Sequence, residues 1–151
     1  MKRRSRTPML EAAVATPVTR RATKAPALGS EHEEQAALFA WAKLMEPRLP
    51  ALMMLFAVPN GGKRHIATAR RLRAEGAKAG IPDVWLPVPR ERYHGLVIEM
   101  KVGRNRPSPE QDEWLLRLDG YGYATAVAYG WHKAARLIVA YLGGKPEEYG
   151  L

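Results

Sequence analysis

The chain has 151 residues, 46% of them hydrophobic, and a formal net charge of +9, which is enough for about one domain with a single compact core. It contains no cysteine, so a disulfide framework, a thiolate zinc site and a cysteine nucleophile are all excluded. No apolar run is long enough to cross a bilayer and no secretory h-region opens the chain, so a cytoplasmic protein is expected.

The charge is uneven along the sequence. Residues 1–30 hold Lys2, Arg3, Arg4, Arg6, Arg20, Arg21 and Lys24 against the single acid Glu11, a balance of +6. This stretch is rich in Ala, Thr and Pro and has no sustained periodicity, so a disordered basic tail over 1–29 is expected. Its composition suits non-specific phosphate attraction, an inert solubilising extension or a transit peptide, and all three readings stay open.

Beyond the tail, Ser30 and Glu33 form a capping-box signal that opens a helix at Glu31, with Leu38, Trp41, Leu44 and Met45 as its apolar stripe and Pro47 as its stop. Leu52 to Val58 reads as a buried strand, and Pro59-Asn60-Gly61-Gly62 as a tight turn. A basic helix follows from about His65 to Glu75 and closes at Gly76; Lys63, Arg64, Arg70, Arg71, Arg73 and Lys78 face only Glu75 here, which points to a polyanionic partner or to a solvated helix face.

Asp83 to Val88 and Gly95 to Val102 read as two strongly apolar strands, joined by a Pro-, Arg- and Tyr-rich connection. Ser108-Pro109-Glu110-Gln111 is a second capping signal, opening a helix with Trp114, Leu115 and Leu118 that ends at Gly120. Ala124 to Tyr129 reads as the last strand, Trp131 to Leu142 as the last helix, and residues 143–151 as a loose C-terminal extension. The order predicts an α/β protein with a mixed sheet of about four strands flanked by helices.

Charges inside apolar strands single out one place. On the Gly95 to Val102 strand, Leu96, Ile98 and Met100 share one face while Val97, Glu99 and Lys101 share the other. Glu99 and Lys101 read either as a structural ion pair or exposed edge, or as groups that engage a metal and a phosphate. The Gly-Ile-Pro turn puts the Asp83 carboxylate at the start of the neighbouring strand, where it meets Glu99. Two adjacent carboxylates repel, and a hard divalent cation with oxygen ligands resolves that repulsion. Lys101 then orients or deprotonates an attacking water and offsets charge on a phosphate.

These residues resemble a known family. Pro82-Asp83 followed by Glu99-Met100-Lys101 matches the PD-(D/E)-x-K nuclease motif. Glu31-x-x-x-Gln35, Val58-Pro59-Asn60-Gly61-Gly62, Gly80-Ile81-Pro82-Asp83 and Pro109-Glu110-Gln111 are similar to the VRR-NUC branch of that superfamily, over roughly residues 30–142. The resemblance implies a restriction-endonuclease-like fold and Mg²⁺- or Mn²⁺-dependent hydrolysis of phosphodiester bonds in DNA. For small stand-alone viral (phage) and bacterial members it implies action on branched DNA such as four-way Holliday junctions, by a homodimer. Carried over residue by residue, it makes Asp83 and Glu99 the central metal ligands, the Met100 carbonyl a further ligand and Lys101 the catalytic lysine. Glu31 matches the helical acid, with Glu34 one turn away as its alternative. Gln35 and Gln111 match the family's glutamines; Gln111 either reaches the site or completes a capping box. Asn60, Gly61 and Gly62 match a turn whose amides receive a phosphate, or need only positive φ; with Lys63, Arg64, Arg70, Arg71 and Arg73 they make up the expected nucleic-acid contacts. The four histidines lack zinc-ligand spacing, and the tryptophans read mainly as core. A non-catalytic nucleic-acid-binding module and an RNA-processing nuclease remain the alternatives.

Overall fold

The computed structural model describes residues 29–59 and 66–151. The basic tail over residues 1–28, the Asn60-Gly61-Gly62 turn, Lys63, Arg64 and His65 lie outside the described residues.

Helix α1 spans Glu31–Met45 and starts as the sequence dictates: the Glu33 amide donates to Ser30 Oγ at 3.2 Å and the Ser30 amide donates to Glu33 Oε2 at 3.0 Å. It buries Glu34, Leu38, Trp41 and Ala42, one stripe at helical spacing. The run after it departs from expectation. Residues Pro50–Met54 form a 3-10 turn and only Phe56–Ala57, strand β1, is extended. Pro50 at the first position sets a helical φ, and the amides of Leu52 and Leu55 close onto the carbonyls of Leu49 and Leu52. Nor is the whole run buried: Leu52 and Leu55 join the core, whereas Met53 is 74% exposed and Phe56 46%; an unbroken apolar run carries no period that tells strand from turn.

Helix α2, Ile66–Ala74, is the expected basic helix. It ends in a left-handed Gly76 (φ 98°), with the Ala77 amide donating back to the Leu72 carbonyl. Strand β2 is Val84–Leu86 and strand β3 is Leu96–Lys101. The former is shorter than the sequence suggests because Pro87 and Pro89 have no amide to give to a ladder. Helix α3, Pro109–Gly120, strand β4, Ala124–Tyr129, and helix α4, Trp131–Tyr141, complete the fold.

The sheet order is β1-β2-β3-β4, antiparallel except for the parallel β3–β4 pair. A parallel neighbour needs a crossover, and α3 supplies it. The register aligns Val84 with Ile98, Leu86 with Leu96, and Leu96, Ile98 and Met100 with Ala124, Ala126 and Ala128. This face is the core: α1 and α4 pack on it and on each other, with Leu38 and Ile138 fully buried. The alanines of β4 present only methyl groups there, which lets α4 approach closely. Each buried Leu or Ile contributes about 1.5–3 kcal/mol relative to exposure.

The other face carries Val97, Glu99 and Lys101 and is covered by α3, whose Leu115 and Leu118 are buried. The C-terminus is not loose. A 3-10 turn at Pro146–Tyr149 is held by Arg48, which donates to the Glu148 carbonyl at 2.8 Å and lies over the Tyr149 ring, and by an Arg136–Glu147 ion pair at 3.2 Å. Tyr149 and Leu151 pack against the core. No described helix is long and apolar enough to cross a membrane.

Candidate active site

β3 lies between β2 and β4, so all six of its residues are buried, including Glu99 at 0% and Lys101 at 5% exposure. That rules out an exposed edge as the setting for these charges. Instead, Lys101 Nζ donates to Glu99 Oε1 at 2.6 Å and to the Met100 carbonyl at 3.1 Å, and lies 3.8 Å from Glu31 Oε1.

Asp83 stands where the register predicts. Val84 pairs with Ile98, so the residue before β2 falls opposite Glu99, and Asp83 Oδ2 accepts the Met100 amide at 2.9 Å. The turn that delivers Asp83 is clamped from the far side. Gly80 has φ +75°, and a Cβ on it would fall 2.6 Å from Glu110 Cβ, so only glycine lets the turn lie against the start of α3. Trp114 adds a bond from its Nε1 to the Ala79 carbonyl at 2.9 Å.

The same contact decides the role of Gln111. Its Oε1 accepts the Ser108 amide at 2.8 Å, closing the second capping box, and its Nε2 donates to Glu99 Oε1. One amide thus serves both readings: the cap fixes the side chain, and the fixed side chain reaches the site.

Electrostatics follow from burial. Desolvation pushes the Glu99 carboxyl up to about 7, the Lys101 hydrogen bond works against that rise, and the nearby Asp83 adds to it. Burial opposes the charged form of Lys101 as well, but its bond to Glu99 and the charges of Glu99, Glu31 and Asp83 win, holding the ammonium above its ordinary value. Among the described residues, Glu99 Oε2 is buried and has no hydrogen-bond partner, which is costly for a carboxylate oxygen unless something positive meets it.

Glu31 and Glu34 part company here. Glu31 is on the site side, 41% exposed, and takes a 3.4 Å bond from Asn105 Nδ2 as well as the approach of Lys101. Glu34 is 2% exposed, and its Oε2 accepts the Trp131 amide at 2.7 Å at the start of α4. It supplies an N-terminal cap that Gly130, at φ 86°, cannot. Gln35 is half-buried. Asp83, Glu99, Met100, Lys101, Gln111 and Glu31 are therefore brought together, whereas Arg70, Arg71 and Arg73 stand exposed on α2 and make no described hydrogen bond to the cluster; Arg71 pairs with Glu75 at 2.8 Å.

Asn105 and Trp114 are the contributors that sequence reasoning missed, whereas Gly80 is legible as part of the turn that delivers Asp83 but not as packed against α3. Asn105 sits four residues past Lys101 in a polar loop, which is the only sequence signal it offers; Glu34 was legible as buried, since it leads the stripe continued by Leu38 and Trp41. Among the described residues no group of three or more His, Cys, Asp or Glu side chains is arranged to hold a metal. The convergent donors are instead two carboxylates, Asp83 and Glu99, and one carbonyl, Met100, all hard oxygens of the kind Mg²⁺ or Mn²⁺ accepts alongside waters. The orphaned Glu99 Oε2 fits such an ion.

Comparison with known proteins gives a consistent result. The model of the family described as VRR-NUC domain matches residues 29–131. A solved structure titled "VRR_NUC domain protein" is similar at 29% identity and a TM-score of 0.64, covering 81% of this chain and 93% of that one. No curated protein matches.

Proposed function

Because this chain belongs to the VRR-NUC domain family and is thus a nuclease-type domain acting on nucleic acid, we propose that it is a Mg²⁺- or Mn²⁺-dependent endonuclease that hydrolyses phosphodiester bonds in DNA. The observation that carries this reading is the buried Asp83–Glu99 pair with its unpartnered Glu99 Oε2 and an ammonium alongside. Asp83, Glu99 and the Met100 carbonyl would hold the metal, with Glu31 completing the set from α1. When bound, the metal supplies Lewis-acid polarisation of the phosphoryl oxygen and a more acidic water.

Hydrolysis forms one bond from water oxygen to phosphorus and breaks one phosphate ester bond, and the leaving oxygen takes a proton. Lys101 enters as a donor. Its bond to Glu99 and the surrounding carboxylates hold the ammonium above its ordinary value, and as a cation it can hold the water by hydrogen bonding and offset charge on the phosphate. Gln111 holds Glu99 Oε1 in place. Outside the cluster, Arg70, Arg71 and Arg73 present exposed cations to flanking phosphates, and Asn60, Lys63 and Arg64 precede them in sequence.

Branched DNA, in particular a four-way junction, is the proposed substrate, and a homodimer the proposed form, since two symmetric incisions require two sites. The test is a panel of labelled four-way junction, matched linear duplex, single strand and RNA, each with Mg²⁺, Mn²⁺ or EDTA. The reading expects metal-dependent cutting with the junction preferred. Equal cutting of linear duplex would remove the junction preference, and preferential cutting of RNA would replace DNA as substrate.

A further inference from the structure

The acid cluster already contains a cation. Lys101 Nζ is 2.6 Å from Glu99 Oε1, 3.1 Å from the Met100 carbonyl oxygen and 3.8 Å from Glu31 Oε1. Those are three of the four groups assigned above to a divalent ion, and the fourth, Asp83, has its Oδ2 occupied by the Met100 amide. We propose that Lys101 is an internal counter-ion: in the metal-free protein its ammonium engages the oxygens a divalent cation needs, and it must swing away before that cation binds.

The physical reason lies in β3. Glu99 is fully buried, and a carboxylate there without a positive partner would be severely destabilising. An ammonium has three donors and no acceptor; two of them meet Glu99 and Met100, and the remaining contact is toward Glu31. The exit is on that side as well. Glu31 is 41% exposed and Asn105, bonded to it, is exposed, so a flexible four-carbon stem can carry the ammonium toward solvent without crossing the core. Lys101 thereby has two positions with two uses: inward it neutralises the acid cluster, and outward it is free to meet water and phosphate. A ligand whose site is open only part of the time binds more weakly by that fraction, so Lys101 tunes metal affinity as well as chemistry.

This inference rests on the metal-dependent reading above, and its test uses metal binding without nucleic acid. Mn²⁺ is titrated calorimetrically into the full chain and into Lys101→Met, which keeps the apolar stem and removes the charge. With the titration run at a pH where Glu99 is ionised in both proteins, the variant is expected to bind Mn²⁺ at least about tenfold more tightly; equal or weaker binding there overturns the proposal. In wild-type protein, acylation of the Lys101 amine, followed by mass spectrometry, is expected to rise as Mn²⁺ saturates the site, because the ammonium is released from Glu99. No change in acylation at saturating Mn²⁺ overturns it even if the variant fails to fold. Should wild type take up no Mn²⁺ at all, the metal-dependent reading falls and this one with it; if wild type binds Mn²⁺ normally while neither readout moves, the counter-ion role alone is wrong.

Discussion

Replacing Lys101 by Met removes one charge from a site with almost no solvent. Wild-type Glu99 is 0% exposed and relies on the 2.6 Å bond from Lys101 for compensation, with Gln111 as the other donor. Deleting one partner of a buried ion pair costs about 3–5 kcal/mol, a large share of the roughly 5–15 kcal/mol that holds a domain together. For a chain of this size that corresponds to a fall in Tm of about 10–20 °C at pH 8. The cost depends on pH with a definite sign. The Glu99 pKa is already raised to about 7 by burial, and Lys101 is what restrains it; in the variant it goes higher. A carboxyl whose folded pKa exceeds its unfolded value gives stability that is fully present below the unfolded value and lost as pH rises through the folded one. Lys101→Met should therefore be much closer to wild type at pH 5.5, where Glu99 takes a proton, than at pH 8. Glu99→Gln combined with Lys101→Met should recover most of the loss at pH 8. Thermal unfolding by circular dichroism at the two pH values, for the two variants and wild type, measures this. A loss under about 1 kcal/mol at pH 8, or one independent of pH, would refute the assignment of Glu99 and Lys101 to a desolvated pair.

Other consequences are simpler to state. If the proposed Mg²⁺ site uses the Glu99 carboxylate, which burial raises to about 7, calorimetric affinity should fall about tenfold from pH 8 to pH 6 with proton release on binding; a flat profile would separate Glu99 from the metal. Gln111→Ala loses both the cap and the tether to Glu99, and is expected to cost about 1 kcal/mol in urea unfolding together with a drop in kcat; full activity would show the tether to be idle. Glu34→Ala removes the cap on α4 and should lower Tm while leaving Mn²⁺ affinity unchanged, whereas Glu31→Ala should do the reverse. If Glu34→Ala abolished metal binding, the two acids would have to exchange roles.

Most elements were legible because their local chemistry agrees with their burial. Both capping boxes, at Ser30 and Ser108, and the strand Ala124–Tyr129 form where the sequence places them. Failures cluster where tertiary context overrides local pattern. Leu52 to Val58 is apolar throughout, yet Pro50 and the carbonyl of Leu49 wind its first three residues into a turn, and residues 143–151 carry no periodicity although Arg48, a hundred positions away from Glu148, ties them down. In the site, period-two alternation was enough to put Glu99 and Lys101 on one face, and the Gly-Ile-Pro turn put Asp83 at the head of the neighbouring strand. What alternation could not convey is contact across elements: Asn105 on Glu31, Gly80 against α3, and Gln111 bridging its own cap to Glu99 depend on how the β3–α3 crossover folds back, which no local spacing encodes. That Glu34 turns away from Glu31 likewise depends on another element, since the first amide of α4 bonds it.

The most direct test of the central claim is cleavage of a labelled four-way junction by wild type and by Asp83→Asn, a nearly isosteric change that removes one carboxylate charge and keeps an oxygen able to accept the Met100 amide. The account predicts Mg²⁺-dependent strand scission by wild type, abolished by EDTA and reduced by at least about a hundredfold in the variant, with junction binding retained. Junction binding by wild type without scission under Mg²⁺ or Mn²⁺, or undiminished scission by Asp83→Asn, would contradict it.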